Sequence, residues 1–139
     1  MKERWTISEF TVVNIELDDQ ECLVKSLEEM GYKPEIHEEA KNLYGYHGDK
    51  RVQKAHVIVP RSQVGSASND VGFEKNNNGK FTMHLSEYDR HVFKTDKLKQ
   101  LYAKHRVNQF VKKNAGKYSH KTTKVDKDGT IRIRLTRFG

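Results

Sequence analysis

The chain has one cysteine, one tryptophan and two prolines in 139 residues. A lone Cys22 excludes an intramolecular disulfide and any multi-cysteine zinc site within one chain. It reads as a small helix residue and not a nucleophile. No long apolar run and no signal-peptide core is present, so no transmembrane helix, leader or membrane partner is expected. The expectation is a soluble, cytoplasmic protein. Apolar residues are scarce, at 35%, and the mean hydropathy is −0.90. This length and composition fit a single domain over 1–139, with a small core under a wet surface. Six Tyr, six Phe and one Trp argue against disorder.

Acidic residues are also rare in the last third. Residues 90–139 hold 15 Lys and Arg against 3 Asp and Glu, a net +12. Residues 1–89 hold 11 against 16, a net −5. Such asymmetry points to an anionic partner for the basic third.

What is present gives an order of elements. WTISEFTVVNI (5–15) is rich in β-branched and aromatic residues and reads as a strand. Asp18 with Glu21 three positions on resembles a capping box, and Leu23, Leu27 and Met30 share a helix face. Gly31 and Pro34 mark the stop. Residues 35–47 read as extended, AHVIV (55–59) as a second strand, and 60–70 as a flexible loop. DVGFEKNNNGKFTMHL reads as a hairpin with loop Asn77-Asn78-Gly79, pairing Phe73 with Met83 and Val71 with Leu85. TTKVDKDGTIRIRL reads as another, with loop Lys127-Asp128-Gly129, placing Val125 opposite Ile131 and Thr123 opposite Ile133. Between them the spacing predicts a helix over about 96–115, with Ala103, Val107, Phe110 and Val111 as its core stripe. Leu98, Leu101 and Tyr102 project to the other side, so the first turns are covered twice or the helix is broken. The fold class is α+β: an antiparallel sheet with two helices packed on one face.

These segments resemble the hypothetical chloroplast open reading frame 35 family, also called domain of unknown function 1257. The resemblance runs over about 20–137. It rests on LEEMGY (27–32), YGYHG (44–48), AHVIV (55–59), DVGFEKN with a following glycine and aromatic (70–81), LYA (101–103) and DGTIRIRL (128–135). The family occurs in plastids, cyanobacteria, other bacteria and phages, often near genes for AAA-type ATPases. The resemblance thus implies such an ATPase as a candidate partner, and it transfers no functional residue. The start, MKERWTISEF, departs from the family's Ser-His-Phe segment, and SEYDRH (86–91) stands where relatives are tryptophan-rich. The asparagine-rich turn and lysine-rich surface suit an AT-rich genome, such as that of a cyanobacterial phage. The compartment is then the host cytoplasm, or the plastid stroma if the gene is plastid-borne.

The chemistry centres on cations. Lys99, Arg106, Lys113 and Lys117 are spaced to form one stripe on a helix. Such a stripe can track phosphates, and it can equally be a solvated helix exterior. In the last hairpin Arg132 and Arg134 alternate with inward-facing Ile and Leu, and Lys124 lies opposite Arg132. Like charges across a strand pair are destabilising unless acids or a docked anion compensate. Those acids can come from the N-terminal third or from a second copy, which makes a homo-oligomer a further expectation.

Tyr44, Tyr46, Tyr88 and Phe138 are candidate aromatic contacts for bases. The RNA-recognition motif itself is missing. In NLYGYHGDKR (42–51) the glycines are too close for a phosphate loop, and no Lys-Ser/Thr pair follows. It reads as a link between strands, with Tyr44 and Tyr46 alternating as on a strand and Gly48 opening a turn continued by Asp49 to Arg51. Glu87, Asp89 and His91 alternate too, and on a strand would share a face. That is acceptable metal-ligand geometry and a candidate hydrolytic site, and it is also an ordinary polar turn.

The expectation is a non-enzymatic binding or adaptor protein with no cofactor, no metal and no catalytic residue. A basic helix and hairpin face engages nucleic acid, through Lys99, Arg106, Lys113, Lys117, Lys124, Arg132 and Arg134. The alternatives are a regulator of an acidic protein partner and a small metal-dependent hydrolase using Glu87, Asp89 and His91.

Overall fold

The computed structural model describes residues 10–14, 16–114, 118–125 and 130–137, with side chains described over 16–114. The fold is α+β and holds two antiparallel sheets. The chain divides into two compact units, Glu16–Leu98 and Met1–Ile15 with Lys99–Gly139.

The first unit is built on a four-stranded meander: β2 (Glu35–Tyr44), β3 (Lys50–Val59), β4 (Val71–Lys75) and β5 (Phe81–His84), in that spatial order. Helix α1 (Gln20–Glu29) precedes it. The helix begins one residue later than Asp18 suggests. Asp19 is the cap, and its carboxylate accepts the Cys22 N–H at 2.9 Å. At the other end the Tyr32 N–H reaches the Leu27 carbonyl at 3.0 Å and the Gly31 N–H reaches Glu28 at 2.9 Å. This is a Schellman closure with Gly31 at its left-handed position. Cys22, Leu23, Ser26 and Leu27 are buried, and Met30 is half-buried. Ser26 satisfies its hydroxyl on the Cys22 carbonyl one turn back, at 2.7 Å.

Val57, Val59, Val71, Phe73 and Phe93 are fully buried. The Phe93 ring stacks on Tyr32 at 5.4 Å and lies 6.4 Å from Phe73. On the opposite face Leu43, Ala55 and Ile58 form a second buried cluster. Gly72 pairs with Ile58 and makes that cluster possible. A Cβ there would lie 2.7 Å from both the Ala55 methyl and a Leu43 methyl.

The β4–β5 hairpin has the expected register, with Phe73 opposite Met83. Asn76 and Lys80 close the Asn77-Asn78-Gly79 loop at 2.7 Å, and Gly79 sits at φ 82°. The segment 60–70 contains one helical turn, α2 (Arg61–Val64), and buries Val64 and Ser68. Another turn, α3 (Arg90–Phe93), leads into α4 (Thr95–Lys113).

Helix α4 is unbroken. Leu98, Leu101, Tyr102, Ala103 and Val107 are all buried. At 100° per residue they span about two thirds of the circumference, so the first turns are covered on both sides. The stripe fades after Val107, and Phe110 and Val111 are half-buried.

The second unit holds a three-stranded sheet of β1 (Phe10–Asn14), β6 (Tyr118–Val125) and β7 (Thr130–Arg137), with β7 in the centre. Thr123 pairs with Ile133, Lys124 with Arg132 and Val125 with Ile131, as the hydrophobic pattern requires. The 127–129 loop lies outside the described residues.

Candidate functional site

The cations singled out in the sequence belong to one unit. Lys99, Arg106 and Lys113 lie on α4, with Lys99 and Arg106 half-buried and Lys113 exposed. Arg106 donates to the Gln109 amide oxygen at 2.7 Å, so its guanidinium is held in part along the helix. Lys117 lies outside the described residues. In the sheet, Val12, Arg132 and Lys124 occupy one rung across all three strands. Phe10, Arg134 and Thr122 occupy the rung two residues along. The like-charged pair is thus a property of the strand register.

Charge divides along the same boundary. The unit Met1–Ile15 with Lys99–Gly139 holds 14 Lys and Arg against 4 Asp and Glu, a net +10. The unit Glu16–Leu98 holds 12 against 15, a net −3. The two sum to the +7 of the chain.

Tyr44 and Tyr46 lie in the other, acidic unit, about half exposed. Tyr44 ends β2. Tyr46 is not on a strand. Tyr46, His47 and Gly48 form a three-residue loop closed by the Gly45 N–H on the Asp49 carbonyl, 2.8 Å, with Gly48 at φ 78°. Tyr46 and His47 are exposed, with ring centroids 3.8 Å apart. The turn ends at Asp49, one residue before β3, and does not continue to Arg51. Asp49 and Arg51 pair at 2.8 Å instead.

Two residues that the sequence reading passed over hold this turn. The Asp70 carboxylate accepts the Tyr44 N–H at 2.8 Å and the Arg61 N–H at 2.7 Å. The Asn69 side chain accepts the Tyr46 N–H at 2.7 Å. The available signal was an Asn-Asp pair closing a small polar run, since short polar side chains bond to nearby backbone.

Glu87, Asp89 and His91 do not share a strand face. Residues 87–89 form a turn and His91 lies in α3. Glu87 is exposed and pairs with Arg90 at 3.3 Å, and His91 is exposed. Asp89 is fully buried. Its Oδ2 accepts the Asn69 N–H at 3.0 Å and the Ser86 hydroxyl at 2.8 Å. Among the described residues no group of three His, Cys, Asp or Glu side chains is arranged to hold a metal. No helix among them is long and apolar enough to cross a membrane.

The family model described as "Protein of unknown function (DUF1257)" matches residues 26–134. The chain belongs to this family. The DUF1257 match takes in the YGYHG turn, the Asn69–Asp70 clamp, all of α4 and most of the β6–β7 hairpin. No curated protein and no solved structure matches this DUF1257 chain.

Proposed function

We propose that this protein is a non-enzymatic binding or adaptor protein whose basic unit engages an anionic partner, nucleic acid first. The observation that carries the reading is the net +10 of that unit beside a net −3 in the other. A charge division that follows a structural boundary favours a dedicated surface over a general solubility device. The Lys124–Arg132 rung supports it, because like charges in register cost stability unless an anion offsets them. The contacts are to phosphates, so they position the partner and do not read bases.

An acidic protein surface, including that of a second copy, is the second reading. It is favoured by β2, an edge strand with Glu35, Glu38 and Glu39 exposed. The test is binding to labelled DNA and RNA between about 50 and 200 mM salt, where phosphate contacts weaken steeply. Affinity that falls across that range supports the nucleic-acid reading. No binding at low salt, or binding indifferent to salt, overturns it, and pull-down of a protein after nuclease treatment supports the second.

A further inference from the structure

The four-stranded unit contains a cleft of about 1060 Å³ lined by β2 along its length, both ends of β3, and α2. Its lining includes Lys41, Lys50 and Arg61. No side-chain nitrogen of the three lies within 4.0 Å of a carboxylate oxygen among the described residues. Arg61 uses one guanidinium N–H on the Tyr46 carbonyl, 3.1 Å. That contact holds the side chain through a neutral group.

The lining also holds two carboxylates, Glu35 and Asp70, each with hydrogen-bond partners of its own. Glu35 lies 3.1 Å from the His37 ring. Asp70 accepts the two backbone N–H groups of Tyr44 and Arg61. Three cations against two carboxylates give this concavity a formal +1 in a unit whose net charge is −3. The same wall offers the half-exposed Tyr44 ring, with Ile58 and Pro60 as apolar lining.

We propose that this cleft binds a small phosphate-bearing ligand with a planar ring, of the nucleotide class. Two ammonium groups and a guanidinium suit a phosphate, the arginine through its fork and the lysines as point charges. An aromatic face beside apolar side chains suits a base. The volume lies just above the roughly 300–1,000 Å³ range of small-ligand sites, so a mononucleotide leaves room for water. The YGYHG segment gains a role here: Tyr44 and Gly48 line the cleft, and the Tyr46 carbonyl holds Arg61. The inference concerns the acidic unit and stands apart from the nucleic-acid reading of the basic one.

The test is calorimetric titration of the intact chain with AMP, ribose 5-phosphate and adenosine. Saturable binding is expected in that order of strength. Lys41→Ala with Lys50→Ala is expected to weaken AMP by about tenfold or more, the cost of one charge-assisted contact. An unchanged Tm would show that the variant is folded. Arg132→Glu with Arg134→Glu is expected to leave AMP binding intact. No saturable binding at millimolar AMP, adenosine binding as tightly as AMP, or an unaffected lysine double variant would each overturn the proposal. Loss of AMP binding in the Arg132 and Arg134 variant would do the same, by assigning the ligand to the basic unit.

Discussion

At the scale of single residues, Asp89 ties Asn69 to Ser86. It is a fully buried carboxylate that accepts from the Ser86 hydroxyl and the Asn69 N–H. Its Oδ1 is buried with no hydrogen-bond partner among the described residues. Asn69 in turn accepts the Tyr46 N–H, so Asp89 anchors the exposed turn through one intermediary. Removing the acceptor leaves a half-buried N–H and a half-buried hydroxyl without their partner, which costs about 1–3 kcal/mol. Asp89→Ala is therefore expected to lower stability by that amount in urea unfolding, and to speed amide exchange at Tyr46. Asp89→Asn keeps one acceptor oxygen and the side-chain volume, so its loss should be smaller. Equal losses for the two would mean that the charged carboxylate, and neither the volume nor a single acceptor oxygen, is what Asp89 supplies.

At the scale of elements, one turn design recurs. Gly45–Asp49 and Asn76–Lys80 are closed by the same pair of backbone bonds, with a left-handed glycine at the third loop position. A Cβ at Gly79 meets no atom within 4 Å, so Gly79→Ala isolates the cost of φ 82°. That cost is about 1–2 kcal/mol, and Gly79→Asn should recover part of it because asparagine tolerates this conformation. Gly72→Ala is a different case: its φ is ordinary and its Cβ would strike Leu43 and Ala55. Overpacking there is expected to cost about 1–3 kcal/mol, which relieving the contact with Leu43→Val should reduce. Denaturant midpoints for the four variants check both statements.

The two glycine-bearing hairpins differed in how well the sequence announced them. NNNG flanked by alternating apolar residues specified loop and register at once, and so did the β6–β7 pattern, down to Lys124 opposite Arg132. YGYHG built the same turn with aromatic residues where asparagine is usual, so its strand-like alternation concealed the loop. The Glu87–Asp89–His91 spacing misled for a related reason, since alternation has meaning only on a strand and these residues sit on a turn and a short helix. The Asn69–Asp70 clamp and the cation cleft depend on contacts between residues about 20 to 30 positions apart, which no local pattern encodes.

At the scale of the whole molecule, the boundary between +10 and −3 gives the nucleic-acid reading a quantitative form. Each phosphate neutralised adds about 0.9 to the slope of log affinity against log salt for duplex DNA, and about 0.7 for single strands. Four such contacts predict roughly a hundredfold loss of duplex affinity between about 50 and 200 mM salt. Lys99→Glu with Lys113→Glu, both on α4, should lower the duplex slope by about 1.8 and weaken binding alike on every sequence tested. Lys54→Glu with Lys75→Glu makes the same charge change at exposed positions in the acidic unit. If affinity follows net charge alone, both pairs weaken it equally and neither alters the slope selectively. If phosphates are engaged on the basic unit, the α4 pair lowers the slope and the control pair leaves it unchanged, and fluorescence anisotropy across the salt series separates the two outcomes.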